Sequence, residues 1–173
     1  MFLTGLRIGE LLALRWEAID FEASTLTVAH TLNLHGYVAN ARQLLSPKTA
    51  HSYRTISLNE RCIEILTHFL KECYDKDFVF VDERGHIYGR DELSHYLKKI
   101  CFEKFGREDS DRNYHLHMLR HSHISLLVEM NVPIKAIMER VGHSDEKMIL
   151  QVYSHVTQNM QNDLKEKLNA LDF

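Results

Sequence analysis

Residues 4–31 read TGLRIGELLALRWEAIDFEASTLTVAHT, and a change of period inside this stretch decides the fold class. Thr4 is placed to N-cap a helix running through Arg7 and Glu10 to Leu14, made strongly apolar by Leu6, Leu11, Leu12 and Leu14. After Asp20 the period changes. Thr25 to Thr31 is rich in β-branched residues and reads as a strand. A helix this apolar, so close to the first residue, leads us to expect that an upstream partner segment is missing. Beyond the strand, Asn33 to Gly36 supplies turn residues, and Tyr37–Ala39 and Tyr53–Leu58 give two more short strands. Ser46-Pro47-Lys48-Thr49 is a turn between those two, so the expectation is a small antiparallel three-stranded sheet.

From Asn59 the chain reads as mainly helical. Asn59 caps a helix from Glu60 to about Tyr74, with Ile63, Leu66, Phe69 and Leu70 on one face. Phe78–Val81 is extended and Asp82–Gly89 is a turn region. Asp91–Phe105 is a second helix, with Leu93, Tyr96, Leu97 and Ile100 expected to face inward. Gly106–Asn113 is loop-like. His117–Met130 is a helix stopped by Asn131, Ile134–Val141 is a short one ended by Gly142, and Asp145–His155 and Gln158–Leu171 complete the set.

The totals narrow the function classes. No apolar run approaches the roughly 18 residues a membrane span needs, and the first residues lack a signal peptide's basic flank. Cys62, Cys73 and Cys101 are odd in number with no CxxC spacing, which suits free thiols in a reducing compartment. Twenty-four acidic against 21 basic residues give a net charge of −3. That balance counts mildly against nucleic-acid binding unless the basic groups converge on one face.

Five places carry candidate chemistry, each with a plainer reading beside it. Arg7 is either a structural partner of Glu10, three positions on, or a phosphate clamp with a planar fork. Lys48 is either a solvated turn lysine or a proton donor on a flexible arm. His117 and Arg120, at i and i+3, share one face of an otherwise apolar helix. His117 and His121 also have the i, i+4 spacing of a zinc pair, but HExxH fails because residue 118 is Met, and no CxxC supports a metal. His143 follows a helix-ending glycine, and Tyr153 lies ten residues later, where an amphipathic helix would place a core residue as readily as a nucleophile.

In this order the segments resemble the tyrosine recombinases of the phage-integrase type. Thr4-Gly5-Leu6-Arg7-Ile8-Gly9-Glu10-Leu11 is similar to the family's first arginine box, and His117-Met118-Leu119-Arg120-His121-Ser122 to its HxLRH box. Val141-Gly142-His143-Ser144 with Tyr153-Ser154-His155 resembles the terminal pair, with Val141 where leucine is usual. Pro47-Lys48-Thr49, with Ser52 and Arg54, resembles the β-hairpin lysine segment.

The resemblance implies an α+β, mainly α-helical catalytic domain of the DNA breaking-rejoining type over residues 1–173, lacking the family's preceding helix and N-terminal DNA-binding domain. It implies cleavage and rejoining of double-stranded DNA through a 3′-phosphotyrosine. Arg7 and Arg120 would bind the scissile phosphate and His117 would assist proton transfer. Lys48 would protonate the leaving 5′ oxygen, His143 would donate a hydrogen bond to the phosphate, and Tyr153 would be the nucleophile. Glu10 is read as orienting Arg7, and His121 and His155 as supports. No cofactor, metal or ATP is required. A homotetramer on DNA in the bacterial cytoplasm, with no membrane contact, is the implied assembly. The stripe Leu164, Leu168, Leu171 would dock the last helix in cis or in trans. A type IB topoisomerase, a non-catalytic binding module and a histidine metalloprotein are the competing readings.

Overall fold

The computed structural model describes residues 1–33, 44–45, 53–72, 74–105, 114–142, 147, 149–154, 156–157 and 169. In chain order the elements are α1 (Ile8–Leu12), a 3-10 turn (Trp16–Ala18), β1 (Ile19–Asp20), β2 (Thr25–Val28), β3 (Thr31–Leu32), β4 (Leu44–Leu45), β5 (Arg54–Ser57), α2 (Glu60–Lys71), α3 (Arg90–Phe105), α4 (His117–Glu129) and α5 (Ile134–Val141). A further helical run covers 149–154.

An antiparallel three-stranded sheet is present, in the order β1-β2-β5, with Leu26 paired to Ile19 on one side and Ile56 on the other. Its membership differs from the expectation. The run Thr25–Thr31 breaks at Ala29-His30, and β3 pairs with β4 in a separate two-stranded sheet. The third strand is Ile19–Asp20, joined to β2 by a turn in which Ser24 adopts φ 51 and Asp20 accepts from the Ala23 amide at 2.8 Å. Tyr37–Ala39 and the turn at Ser46–Thr49 lie outside the described residues.

The first helix also starts later than expected. Gly5 stands at φ 69, a left-handed conformation that turns the chain before a helix can begin. Among the described residues, Thr4 accepts from the Leu6 amide, at 3.5 Å, and Arg7 occupies the N-cap. The bounds of α2 to α5 lie close to expectation, whereas both ends of Asp145–His155 and nearly all of Gln158–Leu171 lie outside the described residues. Asn59 caps α2 by accepting from the Cys62 amide at 3.0 Å. Asn131 (φ 58) and Gly142 (φ 89) end α4 and α5.

Two cores hold the elements. Leu26, Val28, Ile56, Leu58, Leu66 and Val79 pack the sheet against α2, together with Leu6 and Leu14 from the first segment. Ile124 and Val128 of α4, Ile137 and Val141 of α5, and Ile149 make the second. α3 lies apart from both. Tyr96 and Ile100, expected inward, are exposed, and no residue of the helix is buried. Among the described residues, no helix is long and apolar enough to cross a membrane, and no three His, Cys, Asp or Glu side chains cluster as a metal ion would require.

Candidate active site

Where α1 begins, α5 ends and β5 passes between them, arginines from distant parts of the sequence gather around one carboxylate. The first turn of any α-helix leaves backbone N–H groups without partners. Glu10, at the third position of α1, reaches back and accepts from the Arg7 amide at 2.9 Å. Its Oε1 also accepts from Arg7 Nη1 at 2.8 Å and from Arg54 Nη1 at 3.1 Å, and its Oε2 from Arg54 Nη2 at 2.9 Å. The Arg54 pairing is therefore bidentate, the strongest geometry available to an arginine and a carboxylate. Burial pushes the Glu10 carboxyl up, but the Arg54 hydrogen bonds and charge, followed by those of Arg7, outweigh it and hold the group below its ordinary range. Glu10 is thus a buried carboxylate.

Exposure separates the two arginines that hold it. The Arg7 side chain is 24% exposed and that of Arg54 only 7%, so Arg7 alone of the pair has a face for a ligand. Arg120 is fully buried in α4 and donates to the carbonyls of Gly5 and, at 2.8 Å, Val141. Arg7 Nη1 reaches the same Val141 carbonyl at 3.5 Å. The two arginines singled out from sequence therefore meet on one oxygen atom. Gly142 follows directly. A Cβ there would sit 3.4 Å from Arg7 Nη1 and 3.5 Å from Arg54 Nη1.

Arg140 closes the cluster from behind. Its carbonyl accepts from Arg54 Nε at 2.7 Å, and its own Nε donates to His123 Nε2 at 3.1 Å. The accepting Nε2 carries no hydrogen, so the His123 proton lies on Nδ1, in a hydrogen bond with the Phe2 backbone. Burial first, then the Arg140 charge, pushes His123 down to about 4.

The remaining candidates take distinct places. His117 opens α4 one turn before Arg120, is exposed, and stands edge-on to His121 with ring centroids 5.0 Å apart. Tyr153 is exposed on the run 149–154, which docks through buried Ile149 onto the α4–α5 core, with Val152 beside it. The Thr157 hydroxyl donates to the Tyr153 carbonyl at 2.8 Å. Lys48, His143 and His155 lie outside the described residues, as does the stripe Leu164, Leu168, Leu171. Sequence offers no signal for Arg140, places His123 in a histidine cluster without giving it a role, and shows Arg54 without a contact. One signal was available for Arg54: the alternation of β5 sets it on the buried face with Ile56. Several guanidinium groups against one carboxylate leave an excess of positive charge, suited to a tetrahedral oxyanion such as a phosphodiester.

The sequence profile of the phage integrase family matches residues 1–160. The chain is 35% identical to the integrase of Staphylococcus phage L54a over 179 residues, covering 98% of this chain and 49% of that protein. It is 32% identical to the ICEBs1 integrase of Bacillus subtilis (strain 168), with 98% and 47% covered. Among solved structures, a variant of the Tn1549 transposon integrase in complex with transposon right end DNA matches with a TM-score of 0.75 and 26% identity, over 98% of this chain and 56% of that one. The XerA recombinase, at 18% identity and a TM-score of 0.65 over 99% of this chain and 56% of that one, shares the fold. The chain spans about half the length of the curated relatives it matches.

Proposed function

The chain belongs to the phage integrase family, and from that membership we propose that it cleaves and rejoins duplex DNA through a covalent 3′-phosphotyrosine at Tyr153. The observation that carries this reading is the meeting of Arg7 and Arg120 on the Val141 carbonyl. Arg7 presents an open face and Arg120 lies buried behind the same carbonyl, and their joint positive charge suits the charge that gathers on the non-bridging oxygens of a phosphodiester under attack. Each such preorganised group stabilises the transition state by about 3 kcal/mol. A phenol titrates near about 10, so roughly one molecule in a thousand is ionised at neutral pH, and the nucleophile needs a base or cationic surroundings.

In this mechanism the Tyr153 oxygen attacks phosphorus and loses its proton with help from His117. The phosphorus–oxygen bond to the 5′ oxygen breaks, and Lys48 protonates that oxygen. His143 donates a hydrogen bond to the phosphate. The phosphotyrosine bond conserves the energy of the phosphodiester, so a 5′ hydroxyl from another strand reseals it without ATP or metal. Residues 1–173 act as the catalytic domain. The integrase of the solved Tn1549 structure is in complex with transposon DNA, and by analogy we read double-stranded DNA as this chain's partner. Assembly as a homotetramer on DNA in the bacterial cytoplasm belongs to the same proposal.

A nicked suicide duplex tests it, because cleavage releases a short 5′-hydroxyl fragment that diffuses away and traps the adduct. With a sequence-randomised pool of such duplexes, the wild-type chain is expected to give a covalent protein–DNA band on denaturing gels, and Tyr153→Phe none. A wild-type chain without the band, or an undiminished band in Tyr153→Phe, overturns the reading.

A further inference from the structure

Arg7 and Glu10 present a difficulty that the phosphate-clamp reading leaves open. A carboxylate 2.8 Å from Arg7 Nη1 cancels much of the charge the clamp needs. We propose that Arg54 is a positioning residue that supplies the counter-charge to Glu10, so that Arg7 keeps its own charge for the DNA phosphate. This rests on the DNA-cleavage reading and deepens it.

The geometry argues for it in three ways. Arg54 covers both Glu10 oxygens, at 3.1 and 2.9 Å, whereas Arg7 reaches only Oε1 with its guanidinium. Arg54 is itself buried, and its charge acts in a low-dielectric setting where pairing is strong. Its third nitrogen, Nε, is fixed on the Arg140 carbonyl at 2.7 Å, one residue before the carbonyl shared by Arg7 and Arg120. Arg54 thereby ties β5 to the start of α1 and the end of α5 at once. With it in place, Glu10 is free to orient Arg7, through the Arg7 amide and Nη1, without neutralising it. A lysine in this place would keep the charge but lose the fork.

The charge role and a merely structural role make different predictions. On a duplex recovered from wild-type adducts, Arg54→Gln is expected to slow single-turnover adduct formation by on the order of 10- to 100-fold. Glu10→Gln combined with Arg54→Gln should then be at least about fivefold faster than Arg54→Gln alone, because the uncompensated carboxylate is gone.

The pH profile should change as well. In Arg54→Gln the buried Glu10 carboxyl loses its main counter-charge, so its protonation moves to higher pH. The rate of the variant relative to wild type is therefore expected to rise as pH falls from about 8 to about 5.5. Other titratable groups lie around Glu10: Arg7 on its own segment, Arg15 just before the 3-10 turn, Glu17 within it, and His30 and Tyr53 lining the same cavity, with Arg140 behind Arg54. All of these remain in both proteins, so the ratio isolates the Glu10 titration.

An Arg54→Gln rate equal to wild type, a double variant no faster than the single one, or a pH-independent ratio overturns the proposal. Should Arg54→Gln fail to fold by circular dichroism, the double variant decides alone. Adduct formation within about tenfold of wild type supports the charge role, and a slower rate overturns it. Absence of any wild-type adduct would instead remove the underlying DNA-cleavage reading.

Discussion

His123 and Arg140 share a hydrogen bond that depends on His123 remaining neutral. Protonation would place a hydrogen on Nε2 against the Arg140 donor and set a buried imidazolium against the Arg140 guanidinium. The folded chain holds His123 at about 4, below its ordinary 6.5. The unfolded state therefore binds more protons between those values, and stability rises with pH across that window. The contribution is fully present above about 6.5 and is lost as pH falls toward about 4, amounting to on the order of 3 kcal/mol. His123→Gln keeps an acceptor but no titration. Urea denaturation at neutral pH and near pH 4.5 should show a flatter pH dependence for that variant than for wild type. Equal slopes would show that His123 does not titrate in this way. Of the histidines between His115 and His123, sequence gives roles to His117 and His121 and none to His123. Packing separates them, because His123 lies under Gly5, where a Cβ would meet its ring at 2.7 Å, while His117 faces outward.

The end of α5 shows how an element boundary sets a site. Gly142 adopts φ 89 and ψ 132, a conformation costly for any residue with a Cβ, and it lies against the Arg7 and Arg54 guanidinium groups. Gly142→Ala is expected to lower stability by about 1–3 kcal/mol through strain at this φ, and to slow adduct formation by shifting the adjoining Val141 carbonyl that Arg7 and Arg120 share. Chemical denaturation and the suicide-substrate rate measure the two effects separately. Loss of stability with an unchanged rate would detach this turn from Arg7. The ends of α4 and α5 were legible in sequence because Asn131 and Gly142 are residue types that accept positive φ. The start of α1 was not. Thr4 is a good cap by type, but Gly5 turns the chain away first. In α3, helical periodicity suggested an inward face, yet Tyr96 and Ile100 remain in solvent because neither core reaches them. Periodicity reports amphipathicity and not the presence of a partner.

The full chain carries a net charge of −3, so the cluster of arginines around Glu10 arises from convergence of charge and not from its total. Binding to duplex DNA, followed by fluorescence anisotropy over rising KCl, is expected to weaken linearly in log–log form. Arg7→Gln should make the slope shallower by about 1, the signature of one lost phosphate contact. An unchanged slope would remove Arg7 from the phosphate. Composition could not show this convergence, and the order of the motifs only suggested it. Sequence was sufficient for relations internal to one element. The Arg7–Glu10 pair and the shared face of His117 and Arg120 follow from helix geometry, which places residues three apart on neighbouring positions whatever surrounds them. The contacts of Arg54 with Glu10, of Arg120 with Gly5 and of Arg140 with His123 required the folded chain. Each joins elements whose separation and angle are set by side chains interlocking across two cores, and no local spacing encodes that packing.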